Sequence, residues 1–424
     1  MAKVFQEINI SLFLFIRKMN IFNINQNIFY QDKFQVMAKK VKVNPEILKW
    51  ARTSAKVSME KAARTISKNA KIEKIKEWES SESKDSPTES QLKKLARLYR
   101  RPVDIFNLPF IPREYPKLKD FRKDKDDLGT AVVFIMREIQ EKQEWLHNFY
   151  AKNRSGKLPF VGRYNIKADP ELVARDIRKT LGINISLNKI KPLKYWIEKT
   201  ESKRIFVTLS SNYHTRLKLN SDEFKGFAIA DPFAPFIFIN SEDWDHGQLF
   251  SLVHMLAHIW IGVSGISNDT GITASASDLH PVERFCNAVA FHVLLPKEDL
   301  QLFIPEKGEI QFKHIAKMGR KLGLGQRTIV IQASRHGLLQ ENQVKDFLKN
   351  SDEFWKEFLA KEARKPKSSG GPNYYIMQLR RNSKGFSSVV IDTYKKGKLS
   401  GADAGRLLNM REANIGKFEG YVYK

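Results

Sequence analysis

Cysteine is nearly absent from this chain: Cys286 is the single example in 424 residues. One thiol excludes an internal disulfide framework and suits a reducing cytoplasm, which is the expected location. Long apolar runs are missing too. None reaches the roughly 20 residues that a membrane span needs, so no membrane partner is expected. Acidic residues are in deficit, 47 Asp and Glu against 73 Lys and Arg, for a formal net charge of +26. That excess favours nucleic acid or another polyanion as a partner and says nothing about fold. The length suffices for two or three domains with a sizeable core.

One further absence organises the rest. The stretch Leu249 to Gly262 reads LFSLVHMLAHIWIG, with His254 and His258 four apart in an apolar run. On a helix that spacing stacks both imidazoles on one face, one turn apart, as zinc hydrolases present two nitrogen ligands. In H-E-x-x-H the residue after the first His is the general base. Here it is Met255, whose thioether cannot take a proton from water at neutral pH. The ligand pair is present and the base is missing. By itself the His pair is also what ordinary helix packing would give.

A second amphipathic helix is expected over Val282 to Pro296, VERFCNAVAFHVLLP. Its Glu283 lies far enough after His258 for a loop and return, and a carboxylate from a second helix is the standard third ligand of a His₂Glu zinc site. Asn287, one turn on, could be a hydrogen-bond partner behind the ligands or a helix-packing residue. His292 falls about half a turn round from Glu283 and should point away from any metal. Cys286 could approach the metal, but a small buried apolar role is the expectation. His280, before Pro281, is read as surface.

Residues 1–42 form an extension expected to be poorly ordered, with a second start-like sequence at Met37. A membrane-touching arm is the lesser alternative there. Residues 43–110 read as an all-α helix-turn-helix domain: Asn44 caps a helix begun by Pro45, SMEKAARTI supplies another, and Gln91 to Ala96 a later one. The stretch Lys68 to Glu77 is the candidate recognition segment. Lys68, Lys71, Lys74 and Lys76 could meet phosphates, but only Asn69 there suits a base edge. Those lysines would equally serve as a solvated face of a protein-contact domain.

Residues 111–345 carry long helices at Ala131 to Asn153 and Pro170 to Leu181, then short strands at RIFVTL, GFAIA and PFIFIN. The last two form an expected hairpin about Asp231-Pro232. An edge strand there could pair with an extended peptide, or the strands could only roof the core. Gln311 to Leu339 resembles a second, looser helix-turn-helix. Residues 346–372 are a helix and linker, and 373–424 a small helical C-terminal domain.

Taken in order, NPEILKWAR, Trp78-Glu79, RRPVDIFNLP, Asp120 to Arg122, FKGFAIAD, PFIFINSED, HMLAH, ERFCN and GGPNYY resemble the ImmA/IrrE family of zinc metallopeptidases in its long form, with a repressor-type (XRE) helix-turn-helix. The resemblance spans about Val43 to Tyr423. It implies an α+β, mainly helical fold: a zincin-like helical core with a small sheet, preceded by the helix-turn-helix domain. It places His254, His258 and Glu283 on the zinc ligands and Met255 on the catalytic Glu, where this chain departs from the pattern. It also implies a repressor, toxin or antitoxin protein as partner, with a homodimer left open. Loss of the base should lower the rate by about 10²–10⁴. The expected function is therefore a DNA- and protein-binding regulator or antitoxin with impaired peptidase activity. An active zinc endopeptidase is the alternative, so enzyme status stays open.

Overall fold

The structure is a computed structural model describing residues 40–112, 114–122, 128–183, 192–214, 217–221, 223–268, 279–301, 310–364 and 373–424. Most of the 1–42 extension and the linker over 365–372 lie outside the described residues. The chain divides into two compact units between Arg113 and Glu114.

In the first unit, helices α1 (Pro45–Ser54), α2 (Met59–Ile66), α3 (Ile72–Trp78) and α4 (Glu89–Tyr99) precede a short 3₁₀ turn at Val103–Asn107. Side chains set their starts. Asn44 accepts from the Glu46 amide at 3.0 Å, Ser58 from the Lys61 amide at 3.2 Å, and Thr88 and Gln91 form a capping box. Ile47, Leu48, Ala62, Ile75, Trp78 and Leu95 bury the inner faces. Arg52 on α1 grips Glu79, just past α3, through two bonds of 2.7 and 2.8 Å, a paired charge that can stay buried.

The stretch from Lys68 to Glu77 is not one helix. Ser67 to Ala70 close a turn, and helix begins only at Ile72, after Lys71, which makes no side-chain cap bond. Lys68 and Asn69 are therefore turn residues, exposed together with Lys71, Lys74 and Lys76.

The second unit is mainly helical around a small mixed sheet. Its strands are β1 (Lys119–Asp120), β2 (Phe206–Ser210), β5 (Gly226–Ile229), β6 (Phe236–Asn240) and β7 (Gly265–Ser267), ordered β1-β7-β5-β6-β2. β3 (Asn212–His214) and β4 (Leu217–Lys218) form a separate antiparallel pair. β5 and β6 pair antiparallel, as the hairpin reading requires, and Asp231 Oδ1 caps their turn through the Phe233 and Ala234 amides at 2.9 and 2.8 Å. Among the described residues both hairpin strands are interior, and the edges are β1 and β2, the latter from the RIFVTL stretch.

Alternation along the strands feeds two apolar cores. Ile237 and Ile239 of β6 face one core, Phe236 and Phe238 the other. The first core contains α6 (Pro170–Leu181), α7 (Pro192–Glu201), α8 (Asp245–Trp260) and α9 (Pro281–Leu294). It also takes in α11 (Phe312–Leu322) and α12 (Gln326–Arg335), the pair read as a looser helix-turn-helix, which follow the short α10 (Lys297–Gln301). After α13 (Glu341–Arg364), residues 373–424 fold into α14 (Tyr374–Asn382), α15 (Lys384–Lys395), α16 (Gly401–Leu407) and α17 (Ile415–Val422). These share the second core with α5 (Thr130–Lys152), and α14 packs against β2. Among the described residues, no helix is long and apolar enough to cross a membrane.

Candidate metal centre

Helix α8 is buried over its whole length from Gly247 to Trp260, which accounts for a sequence apolar on every side. Its end is fixed by Gly262, whose φ of +68° is one that side chains avoid. The Val263 amide donates to the His258 carbonyl and the Gly262 amide to that of Ile259, each at 3.0 Å, a Schellman closure. A Cβ on Gly262 would also meet the Gly162 Cα at 2.9 Å. The turn brings the Val263 carbonyl back over the helix, where His258 Nδ1 reaches it at 3.2 Å.

α9 begins where the sequence places it. Pro281 occupies its first turn and His280, exposed, caps it by accepting from the Val282 amide at 3.2 Å. Glu283, Cys286 and Asn287 fall on one face of this helix, turned to α8. The structure brings His254, His258 and Glu283 together. The two Nε2 atoms lie 3.2 Å apart, His258 Nε2 is 3.1 Å from Glu283 Oε1, and His254 Nε2 is 3.3 Å from Glu283 Oε2. Asn287 accepts from His254 Nδ1 at 2.8 Å.

Hydrogen bonding settles the tautomers. Asn287 Oδ1 and the Val263 carbonyl can only accept, so both histidines carry their proton on Nδ1. Their bare Nε2 lone pairs then face each other beside a carboxylate. One proton relieves one such contact, whereas a cation at the centre satisfies both nitrogens and the oxygen. Tetrahedral zinc with bonds of about 2.1 Å separates its ligand atoms by about 3.4 Å, close to what is found here. The residues present therefore fit a divalent cation.

Within the cluster the charges also favour one another. Burial opposes charge on His258, but the Cys286 sulfur and Glu283 outweigh it and push its pKa up to about 9. Burial likewise opposes ionisation of Glu283, and the imidazoles hold its carboxyl well below the usual range.

Residues 204–328 match the Peptidase M78 family, the IrrE N-terminal-like domain. No curated protein matches the chain. The M78-like span holds every residue of the cluster, on a metallopeptidase-like scaffold, and leaves both the first unit and residues 373–424 outside it. Within this M78-like domain Met255 stands beside His254, 1 % exposed and packed in the first core. Asp243, on the loop before α8, is tied to Lys225 at 3.0 Å.

Two contributors escaped the sequence reading, and a third was weighed there and set aside. Ser267, on β7, donates to Glu283 Oε2 at 2.6 Å, and no motif flags it. Phe121, inside the Asp120–Arg122 motif, packs its ring tilted against that of His258, centroids 5.7 Å apart. Cys286 is the third: its sulfur and one nitrogen from each histidine lie within 4.8 Å of one another. The i, i+3 spacing from Glu283 was the available signal. His292 points elsewhere, its ring 5.6 Å from that of His336.

In the first unit, a cavity of about 560 Å³ is lined by Asn69, Lys71 and Lys74 together with Glu73, Glu77 and Asp85. Lys74 also lies over the Trp78 ring, 5.4 Å from its centroid. The candidate nucleic-acid face is thus basic with acidic residues interleaved.

Proposed function

We propose that this protein is a regulator or antitoxin that binds DNA and a protein partner, built on a metallopeptidase-like scaffold whose hydrolytic activity is impaired. The observation that carries this reading is Met255, buried beside His254 where a hydrolase needs a proton acceptor. His254 and His258 through Nε2 and Glu283 through its carboxylate would hold zinc. Bound there, zinc supplies Lewis acidity toward a carbonyl and lowers the pKa of water. The chain's own residues do the rest of the positioning. Asn287 and the Val263 carbonyl fix the two rings, and Ser267 fixes the carboxylate.

The net charge of +26 and the exposed Lys68, Asn69, Lys71, Lys74 and Lys76 support DNA as the polyanion, met through phosphates more than bases. A repressor, toxin or antitoxin partner and action in the cytoplasm belong to the same reading. An active endopeptidase is the competing one, and the convergence of the three ligands favours it. The two separate on incubation of the zinc-loaded protein with a panel of repressor and antitoxin proteins, followed by an electrophoretic shift assay. The regulator reading expects no zinc-dependent cleavage and a salt-sensitive shift. Cleavage abolished by His258→Ala, with no shift at low salt, would replace it.

A further inference from the structure

We infer that Cys286 is a fourth ligand of this centre, so that His254, His258, Glu283 and Cys286 form a closed set with no position left for a substrate. The inference rests on the metal-binding reading above and deepens it. Catalytic zinc sites keep three protein ligands and one open position, whereas structural sites fill all four. Cys286 follows Glu283 by one turn of α9, on the same face of the helix.

Its sulfur is fully buried at the edge between the first apolar core and the histidine pair. It lies within 4.8 Å of one ring nitrogen on each of His254 and His258. In a tetrahedral zinc site sulfur and nitrogen stand about 3.6 Å apart, so a shift of about 1 Å, within the range of one χ1 adjustment, completes the set. The convergence of the two Nε2 atoms beside the Glu283 carboxylate is a separate geometric sign that a cation suits this point. On binding, the thiol gives up its proton to solvent and ligates as thiolate.

The same closure gives Met255 a rationale. A centre with no open position has no water to deprotonate, and an apolar side chain packs the core beside it at no loss of function. A thiolate in the set also shifts the preference toward zinc, cobalt and cadmium and away from magnesium or calcium.

Cobalt(II) titration of the chelator-stripped full chain tests this by absorption. The expected result is visible d–d bands of tetrahedral intensity together with a strong near-ultraviolet thiolate-to-cobalt charge-transfer band. In Cys286→Ala the charge-transfer band is lost, cobalt affinity falls at least about tenfold, and added hydroxamate now shifts the visible bands as it does not in the parent. Visible bands without charge transfer in the parent protein would overturn the inference and leave the three-ligand site standing. No cobalt spectrum at all would overturn both.

Discussion

His258 donates its Nδ1–H to the carbonyl of Val263, 3.2 Å away, and that carbonyl is aimed by the left-handed turn at Gly262. Helix termination and ligand orientation are thereby one event. The residues that end α8 also decide which nitrogen of its last histidine is bare.

Gly262→Ala should therefore damage both. The positive φ and the 2.9 Å approach to Gly162 predict a loss of at least about 1 kcal/mol in unfolding free energy. Zinc affinity should fall with it. Thermal denaturation and competition with a chromogenic chelator read the two effects. An unchanged melting temperature would mean that this turn is not as drawn.

Met255→Glu alone should not create a peptidase. It buries a carboxylate in the core, at a loss of about 1–3 kcal/mol, and under the four-ligand inference no position is left for a water. Combined with Cys286→Ala, it should raise zinc-dependent cleavage of a peptide library by about 10²-fold or more. Equal gains from the single and double variants would place the sulfur outside the site.

Glu201 gives stability a pH dependence away from the metal. Burial raises its pKa from 4.5 to about 7, against bonds from Ser383 and the Val207 and Gly385 amides that lower it. The folded state thus holds the proton more tightly than the unfolded chain. Its contribution is complete below about pH 4.5 and is lost as pH rises through 7. Relative to Glu201→Gln, the parent should lose up to about 3 kcal/mol between pH 4.5 and 8. Chemical denaturation at a series of pH values checks this. Parallel pH profiles would mean that Glu201 is ionised in the fold.

DNA affinity, if phosphate-driven, should fall linearly with the logarithm of salt concentration. Each of Lys68→Ala, Lys71→Ala, Lys74→Ala and Lys76→Ala should flatten that slope by about 1 without changing sequence preference. A variant that alters sequence preference would instead assign its lysine to a base edge.

Much of the centre was legible because local signals agree with the fold. Pro281 opens α9, apolar residues surround His254 and His258, and Asp231 turns β5 into β6. The role of Cys286 was harder to read. Spacing puts it on the Glu283 face, but only tertiary packing decides whether that face meets imidazoles or leucines. The local shape of the candidate recognition segment was not legible: Ser67 to Ala70 close a turn and helix starts at Ile72, after Lys71, which lacks a capping bond. Residues 373–424 were readable as helices through the caps Asn373, Ser383 and Ser400. Where they dock was not. It rests on distant pairs such as Arg381 and Asn409 with the half-buried Glu138, each at 2.6 Å, and no local pattern announces these.

The central claim is that His254, His258 and Glu283 converge on a cation. Elemental analysis of the purified full chain, beside His258→Ala purified in the same way, tests it most directly. The expected result is about one zinc per chain in the parent and a small fraction of that in the variant. A folded parent protein that carries no zinc and takes none up on dialysis would contradict it.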